Sequence, residues 1–239
     1  MEKLSPGQIH LADQRGFTET NTLQRYSSFN YGAYFNEYRK PLGRLSVFNE
    51  EVLAGGKTTW FQAENAGYVV FIPITGELIL QDANQDSCII DVGQVYMHHT
   101  FPGEVLKLVN RYPGDEINYL CFFVDNSAVF YENRIFNFDF AGKPNQLIGI
   151  GHKQAALPFR LSIGMFAGRA DALYCLTNKN SLFYAFVVAG AFEVQGRLLH
   201  QRDGLALWAG DEIDLEALSN NAIIVTLELL SESSNDYLP

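Results

Sequence analysis

Gln62 and Glu64 stand two residues apart in Thr58-Thr59-Trp60-Phe61-Gln62-Ala63-Glu64, with Tyr68 four positions further on. On an extended strand, residues i and i+2 share a face. An amide and a carboxyl are therefore expected side by side, with a phenol close behind. Leu106 and Leu108 repeat the spacing farther along the chain. Set opposite one another, the two pairs would form an apolar floor carrying a carboxyl, an amide and a hydroxyl, the make-up of a small-molecule pocket. A carboxyl facing leucines has its charged form disfavoured by desolvation, which would suit Glu64 to general acid or base work without a metal. A plainer reading stands beside these: the leucines fill the interior, and Gln62 and Glu64 bond each other or the backbone.

His98-His99 is the other chemically suggestive cluster. Adjacent strand residues face opposite sides, so two imidazoles cannot grip one ion unless the chain turns there. Thr100-Phe101-Pro102-Gly103 reads as such a turn. One histidine would then reach Glu64 and Gln62; otherwise both are expected to be exposed or to cap a turn. His10, His152 and His200 are isolated and read as structural or surface residues. Leu147-Ile148-Gly149-Ile150-Gly151 is a bare Gly-x-Gly whose third fingerprint glycine falls on Gln154, so a loop is expected in place of a dinucleotide site.

The elements that must position these residues are strands. Of 239 residues, 47% are hydrophobic and 13% aromatic, enough for one large or two small β domains. Glycines punctuate short apolar runs at Gly76, Gly93, Gly190, Gly196, Gly204 and Gly210, the rhythm of an all-β sandwich or barrel. Amphipathic helices are confined to short candidates, Asn21–Arg25 and Glu212–Leu218, the second of which also reads as strand. Seventeen basic against 27 acidic residues give a net charge of −10. With no basic cluster, neither a nucleic-acid backbone nor an anionic membrane is an expected partner. The N-terminus lacks an apolar leader, and no stretch reaches the length of a membrane helix. Cys88, Cys121 and Cys175 are an odd set without a CxxC, expected as buried free thiols in a cytoplasmic protein.

The halves echo one another. Phe71–Leu80 resembles Ala185–Val194, Asp91-Val92-Gly93 returns as Arg202-Asp203-Gly204, and Ile117–Val124 returns as Ala222–Leu229. Three features recurring in order at roughly 110 residues indicate a duplicated domain, since solenoid repeats are far shorter. The expected division is a first domain over 1–131, a crossover over 132–154 and a second domain over 155–239.

Several segments resemble the pirin family of bicupins. They are Arg15-Gly16-Phe17, Tyr26-Ser27-Ser28-Phe29-Asn30-Tyr31, Leu45 through Gly56, and Asp203-Gly204-Leu205-Ala206-Leu207-Trp208. The resemblance implies an all-β bicupin of two tandem cupin-type jelly-roll barrels, with a metal in the first only. The family includes quercetinase-type dioxygenases and proteins that regulate transcription or metabolic enzymes by binding. The spacing Gly56, five residues, Gln62-Ala63-Glu64, three residues, Tyr68, on to Gly76 matches the family's metal-site frame. Counting in that frame, Gln62 and Glu64 replace its His-Pro-His histidines, and Leu106 and Leu108 replace the later His and Glu. The resemblance therefore supplies the fold and a degenerate metal site. The expected function is a metal-free small-molecule-binding or regulatory protein, with Gln62, Glu64, Tyr68, Leu106 and Leu108 lining the first barrel and a protein partner open. Two alternatives stand: a quercetinase-like dioxygenase holding Fe, Ni or Mn on a site rebuilt from Glu64 with His98 or His99, and the acid/base enzyme using Glu64. In the second barrel, Arg169–Gly190 has no His-x-His. Tyr174, Cys175, Asn178, Phe183 and Tyr184 form no ligand set there, so it reads as a packing or interaction module.

Overall fold

The computed structural model describes residues 4–82, 86–126, 134–151 and 157–230. Alternating apolar and polar residues pair as antiparallel strands, and their apolar faces close two separate cores. The compact units are Arg15–Phe138, and Met1–Gln14 together with Asp139–Pro239.

In the first unit a seven-stranded sheet runs in the order Arg134–Asn137, Gln94–Thr100, Gly67–Thr75, Ile117–Asp125, Leu45–Leu53, Leu23–Ser27, Gly16–Glu19. A four-stranded sheet, Thr58–Gln62, Val105–Val109, Leu78–Gln81, Ser87–Ile90, completes it. One core cluster joins the two: Phe61, Leu78, Leu80, Ile90, Leu106 and Leu108 from the small sheet meet Val69, Phe71, Tyr119, Cys121 and Phe123 from the large one. Each such side chain removed from water contributes about 1.5–3 kcal/mol.

The second unit repeats the plan. Its six-stranded sheet is Gly7–His10, Gly204–Leu207, Leu182–Ala189, Ala222–Leu229, Phe159–Phe166, Gln146–Ile150, and its four-stranded sheet is Asp171–Cys175, Glu212–Ala217, Phe192–Val194, Arg197–Leu199. The duplicated segments are thus the same strands of two jelly rolls. Gly76 and Gly190 hold equivalent turns at φ +72° and +76°, a backbone region where a Cβ is strained. The sheets face each other in pairs, and none closes on itself as a barrel.

Five expectations need correction. The strand Gly7–His10 belongs to the second unit, where it pairs with Gly204–Leu207; an N-terminal strand settles wherever a sheet edge offers backbone partners. The 132–154 segment is more than a crossover, because Arg134–Asn137 edges the first large sheet and Gln146–Ile150 the second. The latter takes Gly149 out of a loop and into a strand; His152 and Gln154 lie outside the described residues. The helix candidate Asn21–Arg25 runs into the strand Leu23–Ser27, where sheet pairing overrides a weak local preference, whereas Glu212–Leu218 takes its strand reading as Glu212–Ala217. Finally, Cys121 is buried, but Cys88 is half-buried and Cys175 exposed, at the outward-facing end of an edge strand. No helix among the described residues is long and apolar enough to cross a membrane.

Candidate functional site

Strand Thr58–Gln62 buries Thr59 and Phe61 and exposes Trp60 and Gln62. The alternation continues past its end, with Ala63 buried and Glu64 exposed. Phe61 lies directly opposite Leu106 and Thr59 opposite Leu108. Ala63 is tied to the same neighbouring chain by its N–H to the Glu104 carbonyl (2.9 Å) and by its carbonyl to the Gly103 N–H (2.8 Å). The residues that meet in the interior are therefore Phe61, Ala63, Leu106 and Leu108, all at most 5% exposed. The frame that put Gln62 and Glu64 inside is off by one. A one-residue slip exchanges the two faces of a strand, and placing Phe61 inside decides between them.

Gln62 and Glu64 thus face solvent, away from the leucines, and the burial on which an acid/base role for Glu64 rested is absent. Tyr68 is buried but leaves the interior: it pairs with His99, and their rings meet edge-on at 5.1 Å, on the face opposite Val69 and Phe71.

His98 and His99 lie inside strand Gln94–Thr100 and not in a loop. Both are buried, where exposed or capping histidines were expected. They face opposite sides, as adjacent strand residues must. His98 shares the inner face with Tyr96. Its Nδ1 is 3.1 Å from the Tyr96 hydroxyl, and its Nε2 is 2.6 Å from Glu104 Oε1. Glu104 Oε2 also accepts the Phe101 N–H, so this imidazole is committed to Glu104 and not to Glu64. Burial, and then the neighbouring His98, hold His99 below the ordinary imidazole range.

A second polar cluster on the inner face was not anticipated. The side chains of Arg25, Glu51 and Tyr119 are brought abreast by the pairings Arg25–Glu51 and Glu51–Tyr119. Arg25 Nε donates to Glu51 Oε1 (2.5 Å), and the Tyr119 hydroxyl donates to Glu51 Oε2 (2.6 Å). Although burial opposes its charge, Glu51 beside it holds the Arg25 guanidinium above its ordinary value. Burial and then Glu51 push the Tyr119 hydroxyl up, and the same two causes raise the Cys121 thiol. Tyr31 lies under the Arg25 guanidinium, 4.8 Å from ring centre to Cζ. Burial, followed by the neighbouring Cys121, pushes its hydroxyl up to about 12. The sequence did carry a signal: Asn49-Glu50-Glu51 interrupts an otherwise apolar strand, and buried charges require partners.

In the second unit, Glu228 is fully buried and accepts bonds from the Tyr174 hydroxyl (2.9 Å), the Thr177 N–H (2.7 Å) and the Thr177 hydroxyl (3.0 Å). Tyr174, Phe183 and Tyr184 are buried in this unit. His10 is buried with its ring edge-on to Tyr184, and His200 is exposed.

Two jelly rolls of matching topology in one chain make this a bicupin. Residues 158–229 match the family model of the quercetinase C-terminal cupin domain. The fold is similar to that of YhhW from Escherichia coli, with TM-score 0.83 and 13% identity over 96% of this chain and 100% of that one. The nickel(II) complex of the bacterial pirin YhhW from Escherichia coli gives TM-score 0.80 and 16% identity over 95% and 100%. Quercetin 2,3-dioxygenase from Acinetobacter baumannii gives 0.71 and 14% over 100% and 91%. Among curated proteins none matches the sequence. The fold is thus similar to that of the bacterial pirins, and residues 158–229 are similar to the quercetinase C-terminal cupin domain.

A divalent metal in the first jelly roll would need imidazole or carboxylate donors converging on one point. Phe61, Ala63, Leu106 and Leu108 offer none at the point where they meet. Among the described residues no group of three or more His, Cys, Asp or Glu is placed to hold a metal.

Proposed function

We propose that this chain is a pirin-type bicupin that works without a metal: its first jelly roll binds a small organic molecule, and its role is regulatory and not oxidative. One observation carries the reading. Where the family frame calls for a His-x-His pair facing a later His and Glu, this chain turns Phe61 and Ala63 toward Leu106 and Leu108. A divalent ion there would lose its hydration shell and gain neither donors nor compensating charge. Hydrogen-bonding capacity on the inner face lies instead in Arg25, Glu51 and Tyr119 and in Tyr96, His98 and Glu104. Free thiols support a reducing, cytoplasmic setting. The second jelly roll, with Glu228 already satisfied by Tyr174 and Thr177, suits packing or contact with a protein partner.

The test is oxygen uptake with a flavonol in the presence of Fe(II), Ni(II) or Mn(II) in turn. No consumption above the protein-free rate is expected. Turnover that saturates with any of these metals overturns the reading.

A further inference from the structure

Asn49 sits at the centre of the inner face of the seven-stranded sheet, paired with Cys121 on one side and Ser27 on the other. It is 1% exposed, and neither its Oδ1 nor its Nδ2 has a hydrogen-bond partner among the described residues. A buried amide left unpaired is costly and calls for an occupant. Arg25 is its diagonal neighbour on the same face. The Arg25 guanidinium uses Nε for Glu51 and lies over the Tyr31 ring with Cζ 4.8 Å from its centre, and no hydrogen bond joins its terminal amino groups to the described residues. Arg25 is 19% exposed and Tyr31 half-buried, so the cluster has a solvent side.

We propose that Asn49, Arg25 and Tyr31 form a binding site for a small, planar, uncharged molecule that presents a lactam or carboxamide edge. The proposal rests on the first jelly roll being a metal-free binding module. An amide edge places an acceptor beside a donor, which answers Asn49 Nδ2 and Oδ1 together and leaves the ligand oxygen for an Arg25 amino group. Charge argues for neutrality. The Arg25 charge is already matched by Glu51, and Glu64 acts electrostatically on the Tyr31 hydroxyl. An added carboxylate would bring a second anion to an Arg25 whose charge Glu51 already matches, and an ammonium would face Arg25. Planarity follows from the flat Tyr31 ring with the Arg25 guanidinium over it.

Calorimetric titration of the full chain with benzamide, benzoate and benzylamine tests this, since the three share a ring and differ in charge. Saturable benzamide binding is expected, with the other two at least about tenfold weaker. Asn49→Leu, of similar size, should weaken benzamide by about tenfold or more while raising the melting temperature of the ligand-free protein. If that variant does not fold, Tyr31→Ala at the partly exposed rim should weaken benzamide by a similar factor. Three results overturn the proposal: preference for benzoate or benzylamine, no benzamide binding, or unchanged affinity in the variants; the second, together with a raised melting temperature in Asn49→Leu, would leave only a water on the amide. Metal content measured on the same preparation separates the two readings, because near-stoichiometric metal defeats the metal-free module whatever the benzamide result.

Discussion

Leu106→Ala tests which residues fill the first jelly roll. Leu106 is fully buried, sits directly opposite Phe61 and belongs to the cluster that also holds Leu80, Leu108, Phe71 and Phe123. Truncation removes three carbons from a site whose neighbours are pinned by two hydrogen-bonded sheets. The expected loss is about 2–5 kcal/mol, in the upper half because rigid aromatic neighbours collapse poorly into a void. Gln62→Ala, on the exposed face one residue from Phe61, should change stability by no more than about 0.5 kcal/mol. Urea unfolding followed by fluorescence measures both. The chain has two tryptophans, so a Trp208→Phe background leaves Trp60, on the same strand as Phe61, to report the first unit alone. A small loss in Leu106→Ala together with a loss above about 2 kcal/mol in Gln62→Ala would refute the facing assigned to this strand and restore the frame counted from sequence.

The remaining expectations concern the buried polar groups. Glu51→Ala strips the acceptor from Arg25 and Tyr119 together and should cost about 3–5 kcal/mol, against about 1 kcal/mol for Tyr119→Phe; a double-mutant cycle read by urea melts should show coupling between the two sites. His99 is held below the ordinary imidazole range by burial, so below pH about 6.5 the unfolded chain takes up a proton that the folded chain refuses, and stability falls as pH drops. Calorimetric melting temperatures should therefore decline from pH 7.5 to 5.5, and His99→Phe should flatten part of that slope. Tyr31 has the opposite window: its hydroxyl, pushed up to about 12, stays protonated in the fold while the unfolded phenol ionises near pH 10, so stability is lost as pH rises through that interval. Tyr31→Phe should reduce the alkaline loss in the same scan.

The fold was legible because each layer of the sequence agreed. Gly76 and Gly190 closed equivalent turns, and Ile117–Val124 and Ala222–Leu229 returned as the same central strand. The site was legible only in part. Leu106 and Leu108 were correctly placed in the interior, but counting residues in a family frame put Gln62 and Glu64 beside them. The structure places Thr59, Phe61 and Ala63 in and Trp60, Gln62 and Glu64 out; the polar Gln62 and Glu64 carried that answer, and only Trp60, apolar yet exposed, obscured it. Arg25, Asn49, Glu51 and Tyr119 escaped notice because their meeting depends on pairing between strands remote in sequence, which local spacing does not encode. Gly7–His10 joined the second unit for the same reason, since a sheet edge is a tertiary property.

Metal content is the most direct measurement of the central claim. The untagged chain, produced in metal-replete medium and purified without chelator or metal-affinity resin, should carry iron, nickel and manganese far below one equivalent by elemental mass spectrometry. Near-stoichiometric occupancy by any of the three would contradict the account and require donors other than Phe61, Ala63, Leu106 and Leu108.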